Sequence, residues 1–211
     1  MDDSLGLYER CVLPGLLHVG MNQAQLRPLR SALIGAAEGR ILEVGVGSGI
    51  NIGFYRRDVV QVIGIDPSIA LLTKAKKAVA WAACPVRLLE GRAECLPIAT
   101  ASIDTVVMTW TLCSIADPIG ALGEIRRVLR PGGSLLFLEH GLAPDHQPWV
   151  RSWQNGLTPY WKRIAGNCHL NRRIDGLLAA SGLNVTELEK GYLVSGPKAF
   201  TFHYRGSAVI A

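Results

Sequence analysis

No stretch of this 211-residue chain approaches the roughly 20 consecutive apolar residues that a membrane-spanning helix needs, although 49% of its residues are hydrophobic. The N-terminal run Val12 to Gly20 is short and broken by Pro14 and Gly15. Met1-Asp2-Asp3 is acidic where a secretory leader is basic, so no leader is expected. Cys11, Cys84, Cys95, Cys113 and Cys168 are odd in number and lack CxxC spacing or Cys/His clustering. This excludes a disulfide framework and a zinc-finger spacing, so reduced thiols, a cytoplasmic location and no bound metal are expected. A basic arm is missing too. The 22 basic residues against 17 acidic ones lie in scattered pairs such as Arg56-Arg57 and Arg172-Arg173, which suit solvated helix faces and give no nucleic-acid signature. What is present is enough apolar content for one globular domain with its own core.

The dinucleotide fingerprint GxGxxG is also absent, and what replaces it is the most informative stretch of the chain. Arg40 to Val44 (RILEV) is an apolar run of the kind a buried parallel strand shows, and it leads directly into Gly45, Gly47 and Gly49. Glycines at alternate positions let the backbone take positive φ and approach a ligand closely. Asn51 to Tyr55 is expected to restart the chain as a helix. Ile50 stands where the fingerprint needs its third glycine, and Glu43 precedes the loop, giving ExGxGxG. This pattern resembles motif I of the class I S-adenosylmethionine-dependent methyltransferases. The resemblance implies that cofactor, with S-adenosylhomocysteine as product, and Glu43 suits a molecule carrying an ammonium and a sulfonium but no phosphate.

Later segments add to the resemblance. Val59 to Ile65 reads as a second strand ending at Asp66-Pro67-Ser68, where an acid about 20 residues beyond the glycines accepts ribose hydroxyls. The competing reading of Asp66 is capping of the helical stretch Ile69 to Trp81. Val86 to Leu89 is a third strand, and the following Glu90 to Pro97 resembles the family's GDAExLP segment, with Arg92 in place of the usual Asp. The Ala93 amide and the Glu94 carboxylate are the candidate adenine contacts. Ser102 to Thr109 resembles the family's SFDxVV strand and leads into Trp110 to Ile115 on the acceptor side. Asp117-Pro118 opens a helix, Ile119 to Leu129, stopped by Arg130-Pro131-Gly132-Gly133 before a fifth strand, Ser134 to Glu139. The expected fold is therefore α/β, a doubly wound Rossmann-like domain. By resemblance it has seven strands, mostly parallel, with an antiparallel C-terminal strand drawn from Leu183 to Lys190 and Ala199 to Ile210. Residues 1–39 are expected as a helical cap on a methyltransferase domain of residues 40–211. They either pack on the sheet edge or form a lid carrying Tyr8, His18 and Met21.

A narrower resemblance rests on Gly49 to Tyr55, Val106 to Ile115, Phe137 to His140, Trp149, Trp153-Gln154, Pro159 to Trp161 and Gly166 to Arg172. These segments are similar to the animal methyltransferase-like 7 group of alkyl-thiol methyltransferases and their bacterial relatives, without the animal proteins' hydrophobic N-terminal anchor. The resemblance implies methylation of a lipophilic thiol or hydrogen sulfide. N-, O- or C-methylation of a phospholipid, a quinone-like ring or a secondary metabolite is the alternative, and a cofactor-binding module without catalysis is the reading from another class. An acceptor pocket is expected at about residues 140–170. Trp149, Trp153 and Trp161 recur at helical spacing there, as one face of a helix, joined by Trp110 and Cys113. A thiol is partly ionised at neutral pH and a base is optional; for other acceptors His140 is the candidate base. The expected partner is a small-molecule acceptor, with no nucleic acid and no transmembrane segment. Peripheral membrane contact and the choice between monomer and homodimer stay open.

Overall fold

Apolar runs that alternate with glycine and proline punctuation fold here into a seven-stranded sheet in the order Val86–Glu90, Gln61–Asp66, Arg40–Val44, Ile103–Thr109, Leu129–His140, Phe202–Ile210, Leu183–Tyr192. The computed structural model describes Gly6, Tyr8 and residues 12–210; Met1 to Asp3 and Cys11 lie outside the described residues. The strands are β1 Arg40–Val44, β2 Gln61–Asp66, β3 Val86–Glu90, β4 Ile103–Thr109, β5 Leu129–His140, β6 Leu183–Tyr192 and β7 Phe202–Ile210. The first five run parallel, and β7 pairs antiparallel with both β5 and β6. This is the expected doubly wound arrangement, in which β7 alone is reversed and β6 runs in the same direction as the first five strands.

The helices are α1 Leu13–Met21, α2 Arg27–Ile34, α3 Ile69–Val79, α4 Pro118–Val128, α5 Pro148–Ile164, α6 Ile174–Ala180 and α7 Lys198–Thr201. Successive side chains of a strand point to opposite faces, which divides the core in two. Leu42, Val44, Met108 and Phe137 pack with Leu122 and Ile125 of α4, while Ile41, Val107 and Leu138 pack with Leu33 and Ile34 of α2. Strand β1 lies between β2 on one side and β4 on the other, where the strand order reverses. The loops that leave β1 and β4 therefore diverge and open a crevice at the carboxyl ends, the place where such sheets bind ligands.

Three local expectations are corrected. Asn51 to Tyr55 does not restart the chain as an α-helix; only a 3-10 turn, Ile52–Phe54, forms, and Tyr55 is extended at ψ 138°. Its ring is buried and its hydroxyl bonds Glu43, which draws the chain back toward the sheet. Strand β5 starts at Leu129 rather than Ser134, because Leu129 pairs Ile103 across a register shift before Gly132 turns at φ +80°. Ala199 belongs to the short helix α7, and the last strand begins at Phe202.

Gly206 shows how closely the C-terminal strands approach one another. A Cβ there would fall inside contact distance of the Glu187 carbonyl and 3.0 Å from Phe137 Cζ. Backbone of a paired strand cannot yield cheaply, so Gly206→Ala is expected to lower the urea-unfolding free energy by about 1–3 kcal/mol with an unchanged m value. A loss below about 0.5 kcal/mol would show that the β6/β7 pair is looser than described.

Candidate active site

The three loop glycines have positive φ, +75° at Gly45, +55° at Gly47 and +80° at Gly49, but different surroundings. A Cβ on Gly45 would collide with the Thr111 side chain, and one on Gly49 would lie 3.1 Å from Ala75 in α3. At Gly47 the nearest atom is the Gly45 carbonyl at 3.9 Å, in open space. Gly45 and Gly47 line the large cavity described below, whereas Gly49 does not. The missing side chain at Gly49 lets the loop pack on α3.

Asp66 ties this loop to the next element. Its Oδ2 accepts from Gly47 N at 3.0 Å and its Oδ1 from Ser68 N at 2.8 Å. Capping of α3 falls to Ser68, whose Oγ accepts from Leu71 N. Each Asp66 oxygen keeps acceptor capacity, and burial raises the carboxyl above its ordinary range. Pro67 continues the same wall.

Beneath the loop lies a polar network that sequence reasoning did not assemble. Asn51 Nδ2 donates to Glu43 Oε1 at 2.8 Å and to Thr109 Oγ1 at 2.9 Å, while Asn51 Oδ1 accepts from Arg30. Tyr55 Oη donates to Glu43 Oε2 at 2.8 Å. Glu43 thus stands behind the loop with both oxygens engaged. Arg30 occupies the α2 face shared with Leu33 and Ile34, where an apolar residue is the norm. Its guanidinium stacks 4.5 Å from the Trp110 ring, and its Nε is buried without a hydrogen-bond partner. Burial lowers its pKa to about 10 despite the nearby Glu43. Trp110 itself sits at φ +50°, a strained value for a bulky residue that turns the chain out of β4.

Glu139 shapes the opposite wall. It is fully buried, and its carboxylate accepts from the amides of Thr111 at 2.8 Å, Leu112 at 3.0 Å and Cys113 at 3.4 Å. Next to it, His140 Nε2 lies 3.5 Å from Cys168 Sγ, which is 3.6 Å from Cys113 Sγ. The sequence showed no Cys/His clustering; the fold creates one by joining the ends of β4 and β5 to the turn after α5. In that turn Gly166 and Asn167 are both left-handed, and Asn167 Nδ2 donates to Ser114 O at 2.8 Å. The hydrogen bond from Cys113 and the charge of His140 outweigh burial and hold the Cys168 thiol at about 4, while the thiol of Cys113 is pushed up. Burial opposes ionisation of His140, but Cys168 and Glu139 raise its pKa.

The tryptophans expected to share one helix face do not. Trp149 and Trp153 are 56% and 61% exposed on α5, whose buried residues are Val150, Gln154 and Thr158. At about 100° per residue, Trp161 falls within about 20° of Val150, whereas Trp149 and Trp153 are rotated off by about 60–100°. Only Trp161 reaches the cavity, packing 4.9 Å from Phe200. The cap residues lie on the other side. Tyr8 Oη donates to Ile164 O at 2.7 Å, His18 Nδ1 lies 2.7 Å from Ser48 Oγ in the glycine loop, and Met21 O accepts from Arg30. Ala93 and Glu94 stand beyond Asp66, with Glu94 paired to Arg92.

All these walls enclose one cavity of about 1820 Å³. A single drug-sized ligand occupies roughly 300–1,000 Å³, so there is room for a cofactor and a second molecule together. The residues fit an adenosyl amino acid. Asp66 offers acceptors for hydroxyls, the space beside Gly47 admits close approach, and the orphaned Arg30 Nε is a donor suited to a carboxylate.

Residues 42–137 match the family described as "Methyltransferase domain". A SAM-dependent methyltransferase from Aquifex aeolicus superposes with a TM-score of 0.64 at 18% identity, covering 94% of this chain and 98% of that one. Residues 42–137 thus match a methyltransferase domain on a fold shared with that enzyme. The chain is also similar to human thiol S-methyltransferase TMT1B, 35% identical over 157 residues, which cover 71% of this chain and 64% of the relative. Demethylmenaquinone methyltransferase of Beutenbergia cavernae is 30% identical over 157 residues, covering 72% of this chain and 63% of that protein. The chain thus spans less than two thirds of the length of these relatives. Among the described residues, no helix is long and apolar enough to cross a membrane.

The buried network carries a pH signature. Burial raises the Glu43 carboxyl to about 7, against the hydrogen bonds from Tyr55 and Asn51 and the charge of Arg30. The folded chain then holds this proton more tightly than the unfolded chain, so stability is lost as pH rises from about 4.5 through about 7. Urea unfolding of the parent and Glu43→Gln should show the parent losing roughly 2–3 kcal/mol relative to the variant across that window. A difference independent of pH would contradict it.

Proposed function

We propose that this protein transfers a methyl group from S-adenosylmethionine to a small lipophilic thiol or to hydrogen sulfide. The observation that carries the reading is the proton chemistry of the acceptor end. There the Glu139 carboxylate is committed to three backbone amides, leaving Cys113, His140 and Cys168 among walls that include Trp110, Trp161 and Phe200. Such a set offers no free carboxylate to deprotonate an amine or a hydroxyl, and its one imidazole, His140, is engaged with Cys168. A thiol, with pKa near about 8.5, is already partly thiolate at neutral pH and needs none. The 35% identity to a thiol S-methyltransferase supports the same choice.

When bound, the cofactor supplies an electrophilic methyl group on a sulfonium. This chain's residues hold and orient it. Asp66 takes the ribose hydroxyls, the Ala93 amide meets the adenine edge, the backbone at Gly45 and Gly47 lies against the amino-acid arm, and Arg30 takes the carboxylate. Glu43 positions Asn51 and Tyr55 beneath the cofactor loop. The cap residues Tyr8, His18 and Met21 exclude water from above, and the aromatic walls do so from the acceptor side, which strengthens electrostatics at the reacting centre. The rate gain comes from alignment of acceptor and methyl group.

A quinone-like ring is the second reading, favoured by the 30% identity to demethylmenaquinone methyltransferase and by the aromatic walls. A screen with a labelled methyl donor across thiols, amines, phenols and lipids separates the two. The expected outcome is a thioether product from alkanethiols; label on a ring or amine with none on any thiol would overturn the thiol assignment, and binding without transfer to any acceptor would overturn catalysis. Calorimetry tests the cofactor side. Asp66→Ala, which removes both the hydroxyl acceptors and the Gly47 strap, should weaken S-adenosylhomocysteine binding by at least about tenfold, or about 1.4 kcal/mol. Unchanged affinity would place the adenosine elsewhere.

A further inference from the structure

Cys113, His140 and Cys168 come from three separate elements, yet one ligand atom from each lies within 4.8 Å of the other two. The spacing is informative. With zinc–sulfur near about 2.3 Å and zinc–nitrogen near about 2.0–2.1 Å, tetrahedral angles place two sulfurs about 3.8 Å apart and a sulfur and nitrogen about 3.6 Å apart. Two of the three separations match, 3.6 Å between the two Sγ atoms and 3.5 Å from Cys168 Sγ to His140 Nε2, while Cys113 Sγ and the His140 ring nitrogen lie within 4.8 Å. Two thiols and an imidazole match the ligand preferences of a borderline-soft divalent ion, and two thiolates with one such ion sum to no net charge, which suits a buried place.

The ligand-bearing segments are pinned independently of one another. The Cys113 amide donates to Glu139, and the Cys113 carbonyl accepts from His169 N at 2.9 Å. Cys168 N donates to Ala165 O at 3.2 Å in the turn that Asn167 fixes against Ser114. His140 closes β5, held in register with His203 of β7. Ligands supported in this way are characteristic of a built metal site. All three residues also line the cavity, and near them the Trp161 Nε1 donor is buried without a partner.

We propose that Cys113, His140 and Cys168 form a zinc-class metal site at the acceptor end of the cavity, with its fourth coordination position open to the cavity and suited to a thiolate. Three protein ligands and an open position are the pattern of catalytic rather than structural zinc. The last part rests on the thiol reading above: an entering thiol would release its proton to solvent as its sulfur bonds the metal, and would be fixed as the thiolate next to the cofactor pocket. This gives His140 a ligand's role in place of a base's.

Cobalt(II) substitution tests it without any methyl transfer. Protein kept reduced and stripped with a chelator is titrated with Co²⁺, and one equivalent should develop a near-ultraviolet thiolate charge-transfer band with tetrahedral visible bands. Affinity should fall at least about tenfold in Cys113→Ser, Cys168→Ser and His140→Ala. Cys95→Ser, an exposed thiol outside the cluster, should titrate like the parent. Adding a small alkanethiol should shift the visible bands. No charge-transfer band in the parent, parent-like titration of the cluster variants, or bands indifferent to thiol would each overturn the proposal. If circular dichroism shows either serine variant unfolded, His140→Ala and the thiol shift decide. The readout is optical, so its failure leaves thiol methylation to the labelled-methyl screen, and failure of that screen leaves the metal titration standing.

Discussion

Burying a carboxylate at the end of a strand obliges the surrounding chain to supply donors, and here the donors are the loops that make the site. Glu139 gathers the amides of Thr111, Leu112 and Cys113 and so bends the chain after β4 around itself. Asp66 holds Gly47 and Ser68 together, and Glu43 is met by Asn51 and Tyr55. Three adjacent regions of the sheet edge are therefore tied down by the same device. The cost of desolvation is offset by hydrogen bonds that also fix loop shape, so the stability of the edge and the geometry of the cavity are one problem.

Helices α1 and α2 border the cavity. Arg30 projects from α2 into the site, where it bonds Asn51 and stacks on Trp110. Asn51 joins the loop after β1 to Thr109 at the end of β4. A guanidinium from α2 and a carboxyl from the sheet thus meet through one amide side chain. This arrangement makes α2 part of the electrostatics of the pocket.

The parallel strands were legible because apolar runs and glycine or proline breaks mark buried parallel strands strongly, as Arg40 to Val44 and Ile103 to Thr109 show. Asp66 stood out by position, at the end of an apolar run. Other features were hidden for identifiable reasons. Arg30 has nothing in its neighbourhood to distinguish it from the other basic residues, since its role depends on which helix face turns inward. Cys113, His140 and Cys168 are remote in sequence and meet only because β4 and β5 are neighbours and a left-handed turn carries Cys168 to them. The tryptophans misled because a spacing of eight residues turns a helix by about 80° beyond two full turns. Tyr55 ended the expected helix through a tertiary hydrogen bond that overrode local preference.

The glycine loop, Asp66 and Arg30 share one cavity with Cys113, His140 and Cys168, and the proposed reading assigns the cofactor to the first group and the acceptor to the second. The most direct measurement is a crystal structure with S-adenosylhomocysteine bound. The account predicts the ribose against Asp66, the adenine beside Ala93, the carboxylate at Arg30, and the sulfur turned toward the cysteine and histidine cluster. An adenosine bound away from Asp66, or a sulfur turned away from that cluster, would contradict it.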